Sequence, residues 1–256
     1  MNIVVRKFNN ILEYNDQSVP KPISDLKIFY QNVRSLRNKF EEIELLIEQY
    51  TSDIVVLTET WISKAQKKFY NFKSYNSIFS CRERQGGGLG MFIKKEIKYN
   101  LLENFESDDI SYIIIELPKL HMFILSIYRP PSYNINDFLN SFDQKVSTLN
   151  DRKCLIIGDI NIDLLISNKA SETLNNIFIT NNFYLCNEAH PTRYSAQRES
   201  LLDHIALNFE YNEINLNIIE NCLSDHAIQI LNLGNNNNRD TKTSVYRNLN
   251  KIDYKL

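Results

Sequence analysis

The sequence predicts an α/β sandwich, two packed sheets with helices on the outside. Three observations carry that expectation. Short apolar runs rich in β-branched and aromatic residues recur along the chain, as in strands buried on both faces. Segments with helical spacing alternate with them. The chain of 256 residues is 43% hydrophobic and 23% charged, enough to bury a large core without a disulfide or zinc staple.

The elements follow in order. Residues 1–25 are polar, end in Pro20-Lys21-Pro22 and read as a leader outside the fold. Lys27–Gln31 is the first buried strand. Leu36, Phe40, Ile43 and Ile47 then keep one helical face, with Glu41, Glu42, Glu44 and Glu48 turned to water. Ile54–Thr58 is the next strand. Gly86-Gly87-Gly88 reads as a turn feeding a strand over 89–94; with no Gly-Lys-Ser/Thr after it, it is no Walker loop. Phe123–Ile127 and Leu155–Ile157 are strands, separated by a helix over Ile135–Leu149 and followed by one over Ser171–Ile179. Runs at 201–208, 214–219 and 227–232 close the sheets. Asn235-Asn236-Asn237-Asn238 opens a linker over 234–256. The body, 26–233, has no repeat and no internal linker and reads as one domain.

Composition narrows the function. No apolar run approaches the ~20 residues that span a bilayer, and Met1–Val5 is too short for a signal-peptide core, so no membrane partner is expected. The cysteines at 81, 154, 186 and 222 form no CxxC and read as reduced, mostly buried thiols. Cys222 and His226 could share a helix face, but no second pair completes a zinc site. A net charge of −2 excludes a globally basic nucleic-acid binder, so any contact with a polyanion must be local.

The strand ends carry the chemistry. Ile28-Phe29-Tyr30 runs into Gln31-Asn32, Ile54–Leu57 into Thr58-Glu59, Phe123–Ile127 into Tyr128, and Leu155–Gly158 into Asp159 and Asn161. Leu201-Leu202 precedes Asp203-His204, and Ser224-Asp225-His226 precedes the last strand. A carboxylate at the end of a buried strand is costly unless paired or metal-bound. Six endings rich in carboxylate, amide, phenol and imidazole point to one shared rim; unconnected loop starts are the plain alternative.

The motifs Gln31-Asn32-Val33-Arg34-Ser35-Leu36, Leu57-Thr58-Glu59-Thr60-Trp61, Tyr128-Arg129-Pro130-Pro131, Gly158-Asp159-Ile160-Asn161, Leu202-Asp203-His204 and Ser224-Asp225-His226 occur in the order of the endonuclease/exonuclease/phosphatase superfamily. Over 26–233 the chain resembles, more narrowly, the apurinic-endonuclease-like endonuclease domain of LINE-type non-LTR retrotransposons. The resemblance implies a four-layer α/β sandwich, two packed mixed β-sheets flanked by helices. It implies metal-assisted hydrolysis of a DNA phosphodiester, leaving a 3′-hydroxyl that primes reverse transcription. Glu59, Asn32 and Asp225 are then the metal shell; hard oxygen ligands without thiolate suit Mg²⁺, with Mn²⁺ possible. Asp159 positions or deprotonates the attacking water, Asn161 holds water or phosphate, and Tyr128 bonds the phosphate. Asp203 orients His226 and raises its pKa. Ser224-Asp225-His226 is no protease triad, because consecutive residues point to opposite faces. His204 and His190 read as structural, and His121 as surface. Leu201 replaces a basic residue common in relatives, and Ile160 a common aromatic.

Residues 61–100 hold nine Lys/Arg against Glu83 and Glu96, a local +7 interleaved with aromatics including Trp61, Phe69 and Phe72. Arg34, Arg37 and Arg129 lie near the chemistry and are expected to contact phosphates. Tyr194–Ser200 resembles the hairpin loop that enters the DNA groove, with Thr192, Arg193 and Arg198 as contacts. The expected partners are double-stranded DNA and, in a full element, a reverse transcriptase on the same polypeptide and the element RNA. The expected place of action is the nucleus. Two other readings stay open: an abasic-site repair enzyme or other phosphoesterase, and a catalytically silent DNA-binding module.

Overall fold

The computed structural model describes residues 5–10, 26–82, 86–107, 109–211 and 213–234. The expected linker beyond 234 and the leader stretch 11–25 lie outside the described residues. In chain order the elements are β1 (Val5–Asn10), β2 (Leu26–Asn32), α1 (Phe40–Tyr50), β3 (Ile54–Thr58), β4 (Tyr75–Ser80), β5 (Leu89–Lys94), β6 (Asn100–Glu106), β7 (Ser111–Leu117), β8 (Met122–Tyr128) and α2 (Ile135–Ser147). They continue with β9 (Lys153–Asp159), α3 (Lys169–Thr180), β10 (Tyr184–Leu185), β11 (Arg193–Tyr194), β12 (Glu199–Ser200), β13 (Asp203–Leu207), β14 (Glu213–Ile219) and β15 (Ile228–Gly234).

The first sheet runs β1-β14-β15-β2-β3-β5-β4 and the second β10-β13-β9-β8-β7-β6; β11 and β12 form a separate hairpin. Both large sheets are mixed. Each has one parallel pair, β2 with β3 and β8 with β9, and each pair is bridged by a crossover helix, α1 or α2. One expectation is corrected here: Val5–Asn10, assigned to a leader, pairs antiparallel with β14 as the edge of the first sheet. The polar side chains that hid this strand are typical of an edge.

Alternation along the strands builds four layers. Ile28, Tyr30, Ile54, Val56, Ile124, Leu155 and Ile157 fill the space between the sheets. Phe29, Val55 and Leu57 pack outward against Ile43 and Ile47 of α1. Leu125, Cys154 and Ile156 pack outward against Phe138 and Phe142 of α2 and Leu174 and Phe178 of α3. With both faces buried, these strands need unbroken apolar runs.

The helix ends follow local chemistry. Asn134 caps α2 by accepting from Asn136 and Asp137 backbone N–H groups, and Asn168 forms a capping box with Ser171 at α3. Thr51 ends α1 in the left-handed conformation. Leu36 lies before α1, in a loop where its N–H donates to the Thr60 carbonyl at 2.9 Å. Its apolar spacing reflects burial beside the helix, not membership of it.

Candidate active site

The strand registers bring the six expected endings to one rim. Asn32 lies opposite Thr58, Tyr128 opposite Asp159, and Asp203 opposite Asp159 across an antiparallel pair. His226 precedes β15 and bridges Arg193 of the small hairpin. At Gly158 a Cβ would sit 1.8 Å from the Ile127 carbonyl oxygen, so only glycine lets β9 approach β8 this closely. Backbone strain gathers here too: Arg34, Ser35, Glu59, Trp61 and Asn161, none of them glycine, all have positive φ.

Asp203 and His226 form the buried centre. Asp203 Oδ2 lies 2.7 Å from His226 Nδ1, and Oδ1 accepts the Tyr30 hydroxyl at 2.6 Å. Burial alone would lower the imidazole pKa. The Asp203 charge and hydrogen bond, with Asp159 and Asp225 behind them, outweigh that and lift it to about 9. The ring is therefore an imidazolium at neutral pH.

Asp159 is fully buried and held well above the usual carboxylate range. Burial is the main cause, Asp203 and Glu59 add to it, and His226 opposes it. Its Oδ2 accepts Asn32 Nδ2 at 2.7 Å and its Oδ1 the Asn161 N–H at 2.9 Å. Ligand atoms of Asp159, Asp203 and His226 all lie within 4.8 Å of one another. This buried acidic and imidazole cluster has a metal's spacing, but the Asp203–His226 bond already occupies the atoms a cation there would need.

Glu59 offers a better cation position. Its Oε1 accepts Asn32 Nδ2 at 3.0 Å, so one amide bridges Glu59 and Asp159. Asn32 Oδ1 accepts the Arg34 backbone N–H at 3.1 Å. In place of the ligation expected of it, Asn32 thus turns N–H groups, not oxygen, to the carboxylates. Tyr128 is a hydrogen-bond partner of Glu59, and burial first, then Glu59 and Asp159, raises its phenol pKa.

Asp225 Oδ2 accepts from Arg34 Nη1 at 3.0 Å and Arg193 Nε at 2.8 Å, while Oδ1 is buried without a hydrogen-bond partner among the described residues. Burial opposes its ionisation, but the two guanidiniums win and hold its pKa below the ordinary value. Arg37 donates to Gln66, and Arg198 lies 3.5 Å from Asp163 on the hairpin flank.

Two expected DNA contacts are corrected. Arg129 is only 1% exposed, and its guanidinium donates to the carbonyls of Ile160, Asn161, Pro130 and Tyr133. It braces the Asp159–Asn161 turn. Thr192 is fully buried, and its Oγ1 accepts the Leu202 and Asp203 N–H groups, each at 3.1 Å. It fixes the start of β13.

Sequence reasoning missed Tyr30, Thr58 and Asn187. Tyr30 hydroxyl also lies 3.0 Å from Thr58 Oγ1, and Asn187 Nδ2 holds the Asp203 carbonyl at 2.6 Å. Tyr30 had a readable signal: it shares a strand face with Asn32, and a buried phenol requires a polar partner. Asn187 sits in a loop with none.

His204 is the structural histidine expected. It is fully buried, its Nε2 lies 3.1 Å from the Ile162 carbonyl, and burial lowers its pKa to about 4. The folded state therefore binds fewer protons than the unfolded one between pH ~6.5 and about 4. Its contribution is complete above that window and lost as pH falls through it, amounting to ~3 kcal/mol. Urea unfolding at pH 7 and 4.5 should show less acid destabilisation in His204→Gln than in wild type; equal pH slopes would exclude this source.

This architecture is the endonuclease/exonuclease/phosphatase fold. Residues 122–230 match the model of a family described as endonuclease-reverse transcriptase. No curated protein sequence matches the chain. Among solved structures, the AP endonuclease LMAP from Leishmania major superposes with a TM-score of 0.68 at 11% identity, over 88% of this chain and 93% of that one. The endonuclease domain of TRAS1, a telomere-specific non-LTR retrotransposon, gives 0.65 at 12% identity over 82% and 98%. An AP endonuclease from Archaeoglobus fulgidus gives 0.62 at 15% identity over 80% and 98%.

Proposed function

We propose that this protein is a divalent-metal-dependent DNA endonuclease of a non-LTR retroelement, nicking one strand and leaving a 3′-hydroxyl to prime reverse transcription. The observation that carries the reading is the buried Asp203–His226 pair set against Asp159, with Glu59 beside it. The matched family description and the TRAS1 likeness support the retroelement assignment. On this reading the partners are duplex DNA and a reverse transcriptase with its element RNA, and the place of action is the nucleus.

The carboxylate oxygens of Glu59 and Asp225 are hard donors that fit Mg²⁺ or Mn²⁺. Glu59 would hold the ion, with Asp225 Oδ1 as a further oxygen on this reading, and the ion would supply charge neutralisation at the scissile phosphate. The residues do the rest. Asp159, once ionised, accepts the proton of the attacking water, and the burial that holds its pKa well above the usual carboxylate range makes it the stronger base. Asn161, with its amide N–H bound to the Arg129 carbonyl, presents Oδ1 to that water. The His226 imidazolium donates from Nε2 to a phosphorane oxygen, its Nδ1 being held by Asp203, and Tyr128 orients the phosphate; the bond to the 3′-oxygen then breaks, and that oxygen takes up the proton released from the water to leave as the 3′-hydroxyl. Arg34, Arg37, Arg193 and Arg198 flank the site as phosphate contacts.

Purified protein with Mg²⁺ is expected to nick supercoiled plasmid, and a polymerase should extend the nicks without prior end repair. Nicking undiminished by EDTA would exclude the metal reading, and binding without cleavage under any divalent metal would favour a silent targeting module. The AP endonuclease likenesses support a second substrate class. Preference for an abasic over an intact duplex would move the assignment there.

A further inference from the structure

Glu59 is restrained by three donors. Asn32 Nδ2 binds Oε1 at 3.0 Å, Trp61 Nε1 lies 3.3 Å from Oε2, and the Tyr128 hydroxyl bonds the same carboxylate. A carboxylate presents about four lone-pair directions, so three donors leave roughly one free. Of the three, an amide can turn over and a phenol can swing its proton, but an indole N–H can only donate.

The backbone holds the indole there. Glu59 and Trp61 have φ of 53° and 56°, and the Trp61 N–H donates to the Gly87 carbonyl at 2.9 Å. Gly87 has φ of +69°, and a Cβ there would lie 2.5 Å from Arg82 and 3.0 Å from the Tyr128 ring. The glycine strap therefore presses onto the loop carrying Glu59 and Trp61 and onto Tyr128. Strain of this kind persists only when its surroundings enforce it.

We propose that Trp61 is a positioning residue: its indole N–H fixes the Glu59 carboxylate in one orientation, leaving a single oxygen lone pair for a divalent cation. The inference rests on the metal-dependent reading above. Loss of such an outer partner lowers metal affinity by about 10- to 100-fold. Trp61 is the sole tryptophan of the chain, so its fluorescence reports on this contact without a label.

The experiment uses Mn²⁺ alone, without DNA. Titration into the full chain should change tryptophan emission with the midpoint that calorimetry gives for binding, and Glu59→Gln should abolish the change. Trp61→Phe, which keeps a ring and removes the N–H, should bind Mn²⁺ at least about 10-fold more weakly by calorimetry at unchanged melting temperature. Wild-type affinity in a folded Trp61→Phe, or an emission change that survives Glu59→Gln, would overturn the role of Trp61 and leave the nuclease reading standing. No Mn²⁺ binding to the wild type at millimolar concentration would overturn both.

Discussion

His226→Ala should slow plasmid nicking by at least about 10²-fold, the usual loss when a preorganised donor to the developing charge is removed. The imidazole is buried, its Nδ1 is 2.7 Å from Asp203 Oδ2, and Asp203 is fixed from the other side by Tyr30 at 2.6 Å. The substitution leaves Asp203 with the Tyr30 hydroxyl alone, so melting must be measured beside activity to separate lost chemistry from lost fold. Asp159→Ala should show a loss of the same order.

Asp203→Asn is the sharper companion. It keeps the shape and takes away the charge that holds the His226 pKa at about 9. A group with a raised pKa is charged below that value, so wild-type nicking should persist in alkali until pH approaches about 9. In Asp203→Asn the alkaline limb should move down toward ~6.5, the ordinary histidine value. Nicking rates from pH 6 to 10 test this. A His226→Ala enzyme within a few-fold of wild type, or an unmoved limb in Asp203→Asn, would remove the pair from the mechanism.

Arg129→Met should destabilise the protein by ~3–5 kcal/mol, a drop of roughly 10 °C in melting temperature for a chain of this size. The guanidinium serves the carbonyls of Ile160 at 2.6 Å and of Asn161 and Tyr133 at 2.8 Å, and lies over the Phe138 ring. Its own carbonyl accepts Asn161 Nδ2 at 2.8 Å, so arginine and asparagine hold each other. Methionine fills the volume and strands those carbonyls without donors. Had Arg129 been a phosphate contact, the same change would leave melting intact and reduce the salt dependence of DNA binding. Calorimetric melting and a salt titration of binding separate the two roles.

Much of the fold was legible because the informative strands are buried on both faces. Ile54–Thr58, Phe123–Ile127 and Leu155–Ile157 could only be continuous apolar runs, and their polar endings then marked a rim. Burial of individual polar residues was not legible. Arg129 and Thr192 sit beside the chemistry in sequence, and a basic or hydroxyl residue at a rim looks the same whether it faces DNA or backbone carbonyls. The difference lies in tertiary partners such as Ile160 and Asp203, which the local sequence does not encode. Tyr30 was overlooked for the opposite reason: inside an apolar run a phenol looks like core, and its hydroxyl meets Asp203 from 173 residues away. The edge strand β1 escaped because Val5–Asn10 lacks the apolar run that identified β2, β3, β8 and β9, and β4, β6 and β7 were not read as strands either.

The division of the chain between the sheets also has a developmental consequence. The second sheet is formed wholly within residues 100–207, while the first draws on 5–94 and 213–234. Neither half holds a complete set: Asn32, Glu59 and His226 come with one, Tyr128, Asp159 and Asp203 with the other. During synthesis, then, no nascent chain that stops short of residue 226 contains the whole constellation. His226 is made 23 residues after the carboxylate it binds, at the entry to β15, so the imidazole is the last of these groups to leave the ribosome.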